Sequence, residues 1–349
     1  MIVIMKLGYS AEQLDRVIGR VHEAGLKTHL SVGDNTAIIG VVGVPIPPEL
    51  QDDLEVVDGV EQVLRVTKRY KLPSREFHPE ATRFMVRDVE VGGDEVIVIA
   101  GPCSVETPEQ TLETARAVKA AGAKILRGGA FKPRTSPYEF RGLGEEGLKI
   151  LVEAREETGM PIITEVLTPS DVELVEKYTD IFQIGARNCQ NYLLLEEVGM
   201  SGKPVMLKRG MSVLIEEWLM AAEYIMAQGN PNVILCERGI RTFETFTRNT
   251  FDINAIPIIK RLSHLPIFAD PSHATGKWYL VPATSMAAVA AGADGLILEV
   301  HPNPDHAKSD GAQSLTFENF GKLIPQLQAV AGAVGRTVAQ APAAAVMAD

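Results

Sequence analysis

Cysteine is scarce in this 349-residue chain, which carries only Cys103, Cys189 and Cys236. Three widely spaced thiols make no disulfide framework and fit a reducing compartment. An excess of positive charge is also missing. Thirty-four basic residues stand against forty-five acidic ones, a net charge of −11, which argues against a nucleic-acid partner. Residues 1–67 hold a single Tyr, Tyr9, and no Phe or Trp, so they offer no stacking platform for RNA. No hydrophobic run is long enough to span a bilayer. The longest uncharged stretch near the end, Trp278 to Ala293, is Ala-rich and interrupted by Pro282. Met1 to Met5 are apolar, but no basic region precedes them and no cleavage-like end follows, so a secretory signal is not expected. These absences together predict a cytoplasmic protein without membrane contact.

What is present divides the chain. Residues 1–67 read as strand, helix, two strands, short helix and strand. The first helix is opened by Ser10 with Gln13 three residues on, a capping-box pattern. Strands over 27–32 and 36–44 flank Gly33-Asp34-Asn35, and a last strand covers 60–66. This βαββαβ order predicts a small α+β, ferredoxin-like domain. Residues 68–94 read as a linker with a short strand before the next domain. From residue 95 to 335, eight apolar runs end at residues 100, 126, 164, 184, 207, 236, 269 and 298, with helical patterns between them. A repeat of about 28 residues, eight times over, predicts a (β/α)8 TIM barrel rather than an open doubly wound sheet. The Ala/Val-rich tail, 336–349, is expected to be disordered.

Chemistry in such barrels sits at the C-terminal ends of the strands. Those positions carry two groups of residues. Cys103, His273, Glu299 and Asp310 offer a thiol, an imidazole and two carboxylates. Arg127, Lys132, Arg134, Arg187, Lys208 and Arg238 are cations that converge on one mouth. Taken singly, Cys103 reads as a buried structural thiol, His273 as a capping or core imidazole, and the carboxylates as partners of the cations. Jointly, their placement after strands 1, 7 and 8, which closure makes neighbours, points to a divalent metal ion such as Mn2+, Fe2+, Co2+ or Zn2+. The cations call for anionic guests, phosphates or carboxylates. Glu165 and Glu237 either orient those cations or handle protons and water. Gly142-Leu143-Gly144-Glu145-Glu146-Gly147 matches a dinucleotide fingerprint, but the polar loop Arg134–Arg141 precedes it instead of a strand. No nucleotide or organic cofactor is expected.

The segments Ala100–Glu106, Leu126–Pro137, Ile184–Asn188, Leu207–Gly210, Cys236–Gly239 and Asp270–Gly276 resemble the 3-deoxy-D-arabino-heptulosonate-7-phosphate (DAHP) synthases. The likeness is to the type I beta group with an N-terminal ferredoxin-like domain, over residues 1 to 325. A related family, the 3-deoxy-manno-octulosonate-8-phosphate synthases, usually has a Lys-Ala-Asn-Arg-Ser type of sequence where this chain has Lys132-Pro133-Arg134-Thr135. The resemblance implies metal-dependent condensation of phosphoenolpyruvate (PEP) with erythrose 4-phosphate and water, giving DAHP and phosphate. It implies Cys103, His273, Glu299 and Asp310 as metal ligands. Arg127, Lys132, Arg187, Lys208 and Arg238 would contact PEP, Glu237 would join the substrate-binding residues, and Lys132, Pro133, Arg134 and Thr135 would face the sugar phosphate, with Asp310 near its hydroxyls. Lys208, Glu165, Cys103 and His273 are the implied catalytic set. His29 and Ser31 are expected to contact a tyrosine or phenylalanine effector, and a homotetramer is expected. The alternatives are the octulosonate synthase and a non-catalytic barrel that binds phosphorylated metabolites.

Overall fold

The structure is a computed structural model that describes residues 1–33, 36–43, 46–47, 49–64, 69–133 and 138–339. The chain forms two compact units, Met1–Glu80 with Leu262–His264, and Ala81–Arg261 with Leu265–Asp349.

In the first unit, β1 (Ile2–Met5), α1 (Ala11–Glu23), β2 (Lys27–Val32), β3 (Ala37–Val42), α2 (Leu50–Glu55) and β4 (Val60–Leu64) follow the expected order. The sheet runs β2-β3-β1-β4, all antiparallel. Ser10 and Gln13 form the reciprocal capping box anticipated from their spacing. The helix lays Val17 and Val21 onto Val3, Met5, Ile39 and Val41 of the sheet. Asp34, Asn35, Val44, Pro48 and residues 65–68 lie outside the described residues. The stretch from Arg69 to Glu80, expected as linker, clusters with this unit. Phe77 covers Gly40 so closely that a Cβ there would lie 1.3 Å from the Phe77 ring.

The second unit opens with a hairpin, β5 (Phe84–Val86) and β6 (Val89–Val91). The parallel strands are β7 (Glu95–Gly101), β8 (Ile125–Arg127), β9 (Ile162–Glu165), β10 (Ile181–Ile184), β11 (Val205–Lys208), β12 (Val233–Glu237), β13 (Ile267–Ala269) and β14 (Gly295–Glu299). They pair in sequence order, and β14 pairs with β7 to close the barrel. Helices α3 (Pro108–Ala121), α4 (Glu145–Thr158), α5 (Val172–Glu176), α6 (Tyr192–Met200), α7 (Ile215–Ala227), α8 (Ala255–Leu262), α9 (Pro271–Thr275), α10 (Val281–Ala290) and α11 (Phe317–Ala333) complete the unit. Among the described residues no strand leads directly into the Gly142–Gly147 segment, whose Gly144 is the N-cap of α4.

The interior is filled by Ile97, Ile99, Ile125, Ile163, Ile181, Met206, Ile234, Phe268 and Ile297. Val86, Val89 and Val91 of the hairpin, which leads into the N-terminal end of β7, pack into the same cluster. Several strands run one residue further than their apolar runs suggest. Arg127, Glu165, Lys208, Glu237 and Glu299 are therefore ladder residues of the strands themselves, and the backbone fixes them. The tail departs from expectation. Arg336 donates to Asp94 O, Gly93 O and Ala293 O and pairs with Asp294, and β15 (Thr337–Val338) pairs with the start of β7. Order thus continues past residue 335, because one guanidinium satisfies three carbonyls at once. Residues 340–349 lie outside the described residues.

His264, in the first unit, is buried and pairs through Nε2 with Leu72 O at 2.7 Å. Burial lowers its pKa to about 4 from the ordinary 6.5, with His78 and Arg75 adding to the effect. The folded state therefore favours the neutral ring. That stabilisation is complete above 6.5 and is lost as pH falls toward 4. Between pH 7 and 4.5 the native chain should lose about 2–3 kcal/mol more stability than His264→Gln, as read by urea unfolding of both proteins.

Candidate active site

The C-terminal ends of the barrel strands open on a cavity of about 540 Å³. Arg127, Lys132, Pro133, Glu165, Arg187, Lys208, Arg238, His273 and Asp310 line it, together with Gln183, Met211, Arg241, Arg248 and Asn249. Cys103 and Glu299 are buried behind this wall, at 1% and 0% exposure.

One donor atom from each of Cys103, Glu299 and Asp310 lies within 4.8 Å of the others. Cys103 Sγ is 3.4 Å from Asp310 Oδ2. His273 Nε2 joins the group at 3.3 Å from Glu299 Oε1 and 4.0 Å from Asp310 Oδ2. Glu299 Oε1 makes no hydrogen bond to any described residue, although Arg127 Nη1 lies 3.2 Å away. Burial and then the Glu299 charge push the Cys103 thiol up to about 12, against the pull of Lys132 and Arg127. A thiol, an imidazole and two carboxylates, with one buried oxygen unsatisfied, fit a borderline divalent cation. The cation's charge would favour the thiolate and satisfy that oxygen.

The imidazole is aimed by Asp270. Its Oδ2 lies 2.8 Å from His273 Nδ1 and accepts from Lys208 Nζ at 2.5 Å, while Oδ1 accepts from the His273 backbone N–H. Burial opposes the Asp270 charge, but His273 and Lys208 outweigh it and hold the carboxyl well below the usual range. Burial lowers the His273 pKa in spite of Asp270 and Glu299. With Nδ1 against a carboxylate, the ring presents Nε2 to the donor cluster, the usual arrangement of a metal-bound His.

The cations fall into two classes. Arg127, Lys132 and Lys208 are buried and touch acidic or sulfur groups, with Lys132 Nζ donating to Cys103 Sγ at 3.0 Å and to Cys103 O at 3.1 Å. Arg187, Arg238 and Arg241 form no ion pair among the described residues, and Arg238 Nη1 is buried without a hydrogen-bond partner. Such charges in one cavity favour an anionic guest. Glu165 accepts from Gln183 Nε2 at 3.4 Å. It approaches Gly185 so closely that a Cβ there would lie 2.0 Å from Glu165 Oε1.

Glu237, expected among the substrate contacts, does not line the cavity. Its carboxylate is 0% exposed, accepting from Arg209 Nη1 at 3.0 Å and from Gly239 N at 2.7 Å. Arg209 also pairs with Asp252 at 2.8 Å and stacks over Trp218. This ion triad holds the β11 and β12 ends rather than a ligand. Arg134 and Thr135 lie outside the described residues. His29 and Ser31 are on β2 of the first unit, where the His29 ring centroid is 5.0 Å from that of Phe77. Burial, and then His78, lower the His29 pKa.

The strand-end pattern did not reveal Gln183, Arg241, Arg248 or Asn249. Gln183 is a strand-interior polar residue. The other three lie on the long loop after β12, whose only signal is the Arg241–Arg248 pair flanking exposed Phe243 and Phe246.

Residues 62–334 match the DAHP synthetase I family, and residues 1–68 match the DAHP synthase ferredoxin-like domain. A phospho-2-dehydro-3-deoxyheptonate aldolase of Thermotoga maritima is 51% identical over 96% of this chain and 99% of its own length. A 2-dehydro-3-deoxyphosphooctonate aldolase of Syntrophotalea carbinolica is 35% identical over 70% of this chain and 94% of its own. Among solved structures, the DAHP synthase of Thermotoga maritima superposes with a TM-score of 0.77, at 51% identity, over 97% of this chain and 98% of that one. A truncated form of the Thermotoga maritima synthase covers 76% of this chain and 98% of its own, with a TM-score of 0.72 and 52% identity.

Asp270→Asn leaves Lys208 buried without its counter-charge and His273 without its aiming carboxylate. It should lower stability by about 3–5 kcal/mol in urea unfolding, whereas Arg187→Ala, on an exposed side chain, should leave the unfolding midpoint unchanged.

Proposed function

The chain belongs to the DAHP synthetase I family, and from that membership we propose how this barrel carries out its reaction. The activity is that of a DAHP synthase, a transferase that condenses PEP with erythrose 4-phosphate and water to give DAHP and phosphate. The observation that carries the assignment of roles is a mouth lined by cations, of which Arg187, Arg238 and Arg241 form no ion pair among the described residues, above a buried thiol–imidazole–carboxylate cluster.

Arg187 and Arg238, which form no ion pair among the described residues, hold the PEP phosphate, while Arg127 and Lys208 face its carboxylate side. Lys132, Pro133, Arg134 and Thr135 receive erythrose 4-phosphate, with Asp310 toward its hydroxyls. Cys103, His273, Glu299 and Asp310 hold one divalent ion of the Mn2+, Fe2+, Co2+ or Zn2+ group. Bound there, the ion supplies Lewis acidity to the aldehyde oxygen. PEP C3 attacks the aldehyde carbon, water adds at C2, and phosphate leaves to give the keto acid. Fixing both phosphates in one mouth makes the carbon–carbon step effectively unimolecular. Lys208, held by Asp270, and Glu165, held by Gln183, stand beside the reacting carbons to move the protons of that water.

The ferredoxin-like domain suggests an effector, and we assign it tyrosine or phenylalanine, contacted by His29 and Ser31. We assign the protein a homotetrameric state and a cytoplasmic location. No helix among the described residues is long and apolar enough to cross a membrane. The octulosonate aldolase likeness supports arabinose 5-phosphate as the second reading for the sugar. Lys132-Pro133, in place of the Lys-Ala start of that family's usual sequence, favours erythrose 4-phosphate.

Phosphate release from PEP should require erythrose 4-phosphate, stop after exhaustive chelation and return with a divalent metal. Full turnover after chelation would overturn the metal role, and faster turnover with arabinose 5-phosphate would overturn the sugar assignment. Lys208→Met should lower kcat by at least about 100-fold. Removal of residues 1–67 should keep turnover and abolish inhibition by the aromatic amino acid; inhibition that survives would reject the regulatory role.

A further inference from the structure

Gln313 and Arg248 belong to neither the donor cluster nor the substrate contacts assigned above, yet they connect two of the donors. The Gln313 side chain is buried, at 2% exposure. Its Nε2 donates to Glu299 Oε2 at 2.8 Å, and its Oε1 accepts from Arg248 Nη1 at 2.8 Å. The same Nη1 lies 3.2 Å from Asp310 Oδ1. The amide orientation is fixed by its partners, since a guanidinium only donates and a carboxylate only accepts.

The relay therefore occupies one oxygen of each carboxylate. The other oxygens, Glu299 Oε1 and Asp310 Oδ2, face His273 Nε2 and Cys103 Sγ at 3.3 and 3.4 Å. Asp310 itself sits at φ 51°, in the left-handed region where a side chain costs free energy unless its surroundings impose the conformation. Arg248 is anchored at its base. Its N–H donates to Thr275 O at 3.0 Å, and Asn249 donates through N to Ala274 O at 2.9 Å and through Nδ2 to His273 O at 3.0 Å. The loop after β12 is thus bound to the turn that carries His273, and from there it reaches Asp310 and, through Gln313, Glu299.

We propose that Arg248 and Gln313 form a brace that sets the separation of the Glu299 and Asp310 carboxylates and thereby the affinity of the four-residue site for a divalent cation. The proposal rests on the metal role assigned above. Both are positioning residues; neither offers a donor atom to the ion. A neutral amide suits the bridging place because it donates to one charge and accepts from the opposite one. A third carboxylate there would repel Glu299, and an apolar side chain would free both acids to turn.

The test uses the full-length protein, stripped of metal with chelator and titrated with Co2+. Affinity is read by chelator competition, and the Cys103 bond is read by thiolate-to-cobalt charge-transfer absorption. Gln313→Met should weaken Co2+ binding by about 10–100-fold and shift the thiolate band, with the unfolding midpoint of the metal-free protein unchanged. Arg248→Met should do the same, Arg248→Lys should lose less, and the double variant should be no weaker than either Met variant, as one relay requires. Unchanged Co2+ affinity and an unchanged band in the Met variants would overturn the brace. If metal-free Gln313→Met unfolds early, the Arg248 variants, on a partly exposed side chain, decide the question alone. A native protein with no thiolate–cobalt band would instead overturn the metal role itself.

Discussion

The parallel register between β14 and β7, from Gly295–Ile97 to Glu299–Gly101, closes the barrel and sets the end of the last strand beside the end of the first. Glu299 then lies next to the segment that carries Cys103, and Asp310 follows on the loop above. His273 enters from β13, the other neighbour of β14. Residues separated by two hundred positions reach contact distance only because this pairing forms. The small α9 helix adds the final constraint, since Asp270 caps it while aiming His273 and holding Lys208.

Around that seam, the structure separates charges that serve the fold from charges left for a guest. Arg209 is fully used by Glu237 and Asp252, and Lys208 by Asp270, so each removal would strand a buried partner. Arg187, Arg238 and Arg241 have no such partner among the described residues, and the cavity they line concentrates positive potential on a molecule whose net charge is −11. The mouth thus gathers seven Arg and Lys side chains on a chain whose net charge is negative. This difference attracts phosphorylated substrates to one place.

The barrel was legible because its strands recur at a nearly constant interval and are buried on both faces, which gives unbroken apolar runs. The strand-end charges were legible for the same reason, since the run stops where the side chains turn polar. What escaped has physical causes. Glu237 looked like its neighbours at other strand ends, and only the tertiary position of Arg209 and Asp252 reveals that it is an internal counter-ion. Gln313 ends a single 3-10 turn and Arg248 lies on the loop after β12, and segments so short or irregular have no period to indicate which way a side chain points. The two residues of β15 are too few to show alternation, and the hairpin β5–β6, read as a linker with one strand, is ordered by packing into the core cluster of the barrel. The ferredoxin-like unit followed its sequence closely because its capping box and strand pattern are local signals.

The order of the donors along the chain also bears on how the protein is made. Translation at ordinary rates delivers Cys103 roughly 10–40 s before Asp310, and Glu299 emerges only shortly before Asp310. Throughout that interval the thiol that will be sealed behind the cavity wall is on an unfinished polypeptide, open to oxidants and to stray metal. β15 with Arg336, which follows Asp310 in the chain, pairs with the very strand that leads into Cys103. The four donors can therefore meet only late in synthesis, once Asp310 has followed Cys103, His273 and Glu299 out of the ribosome.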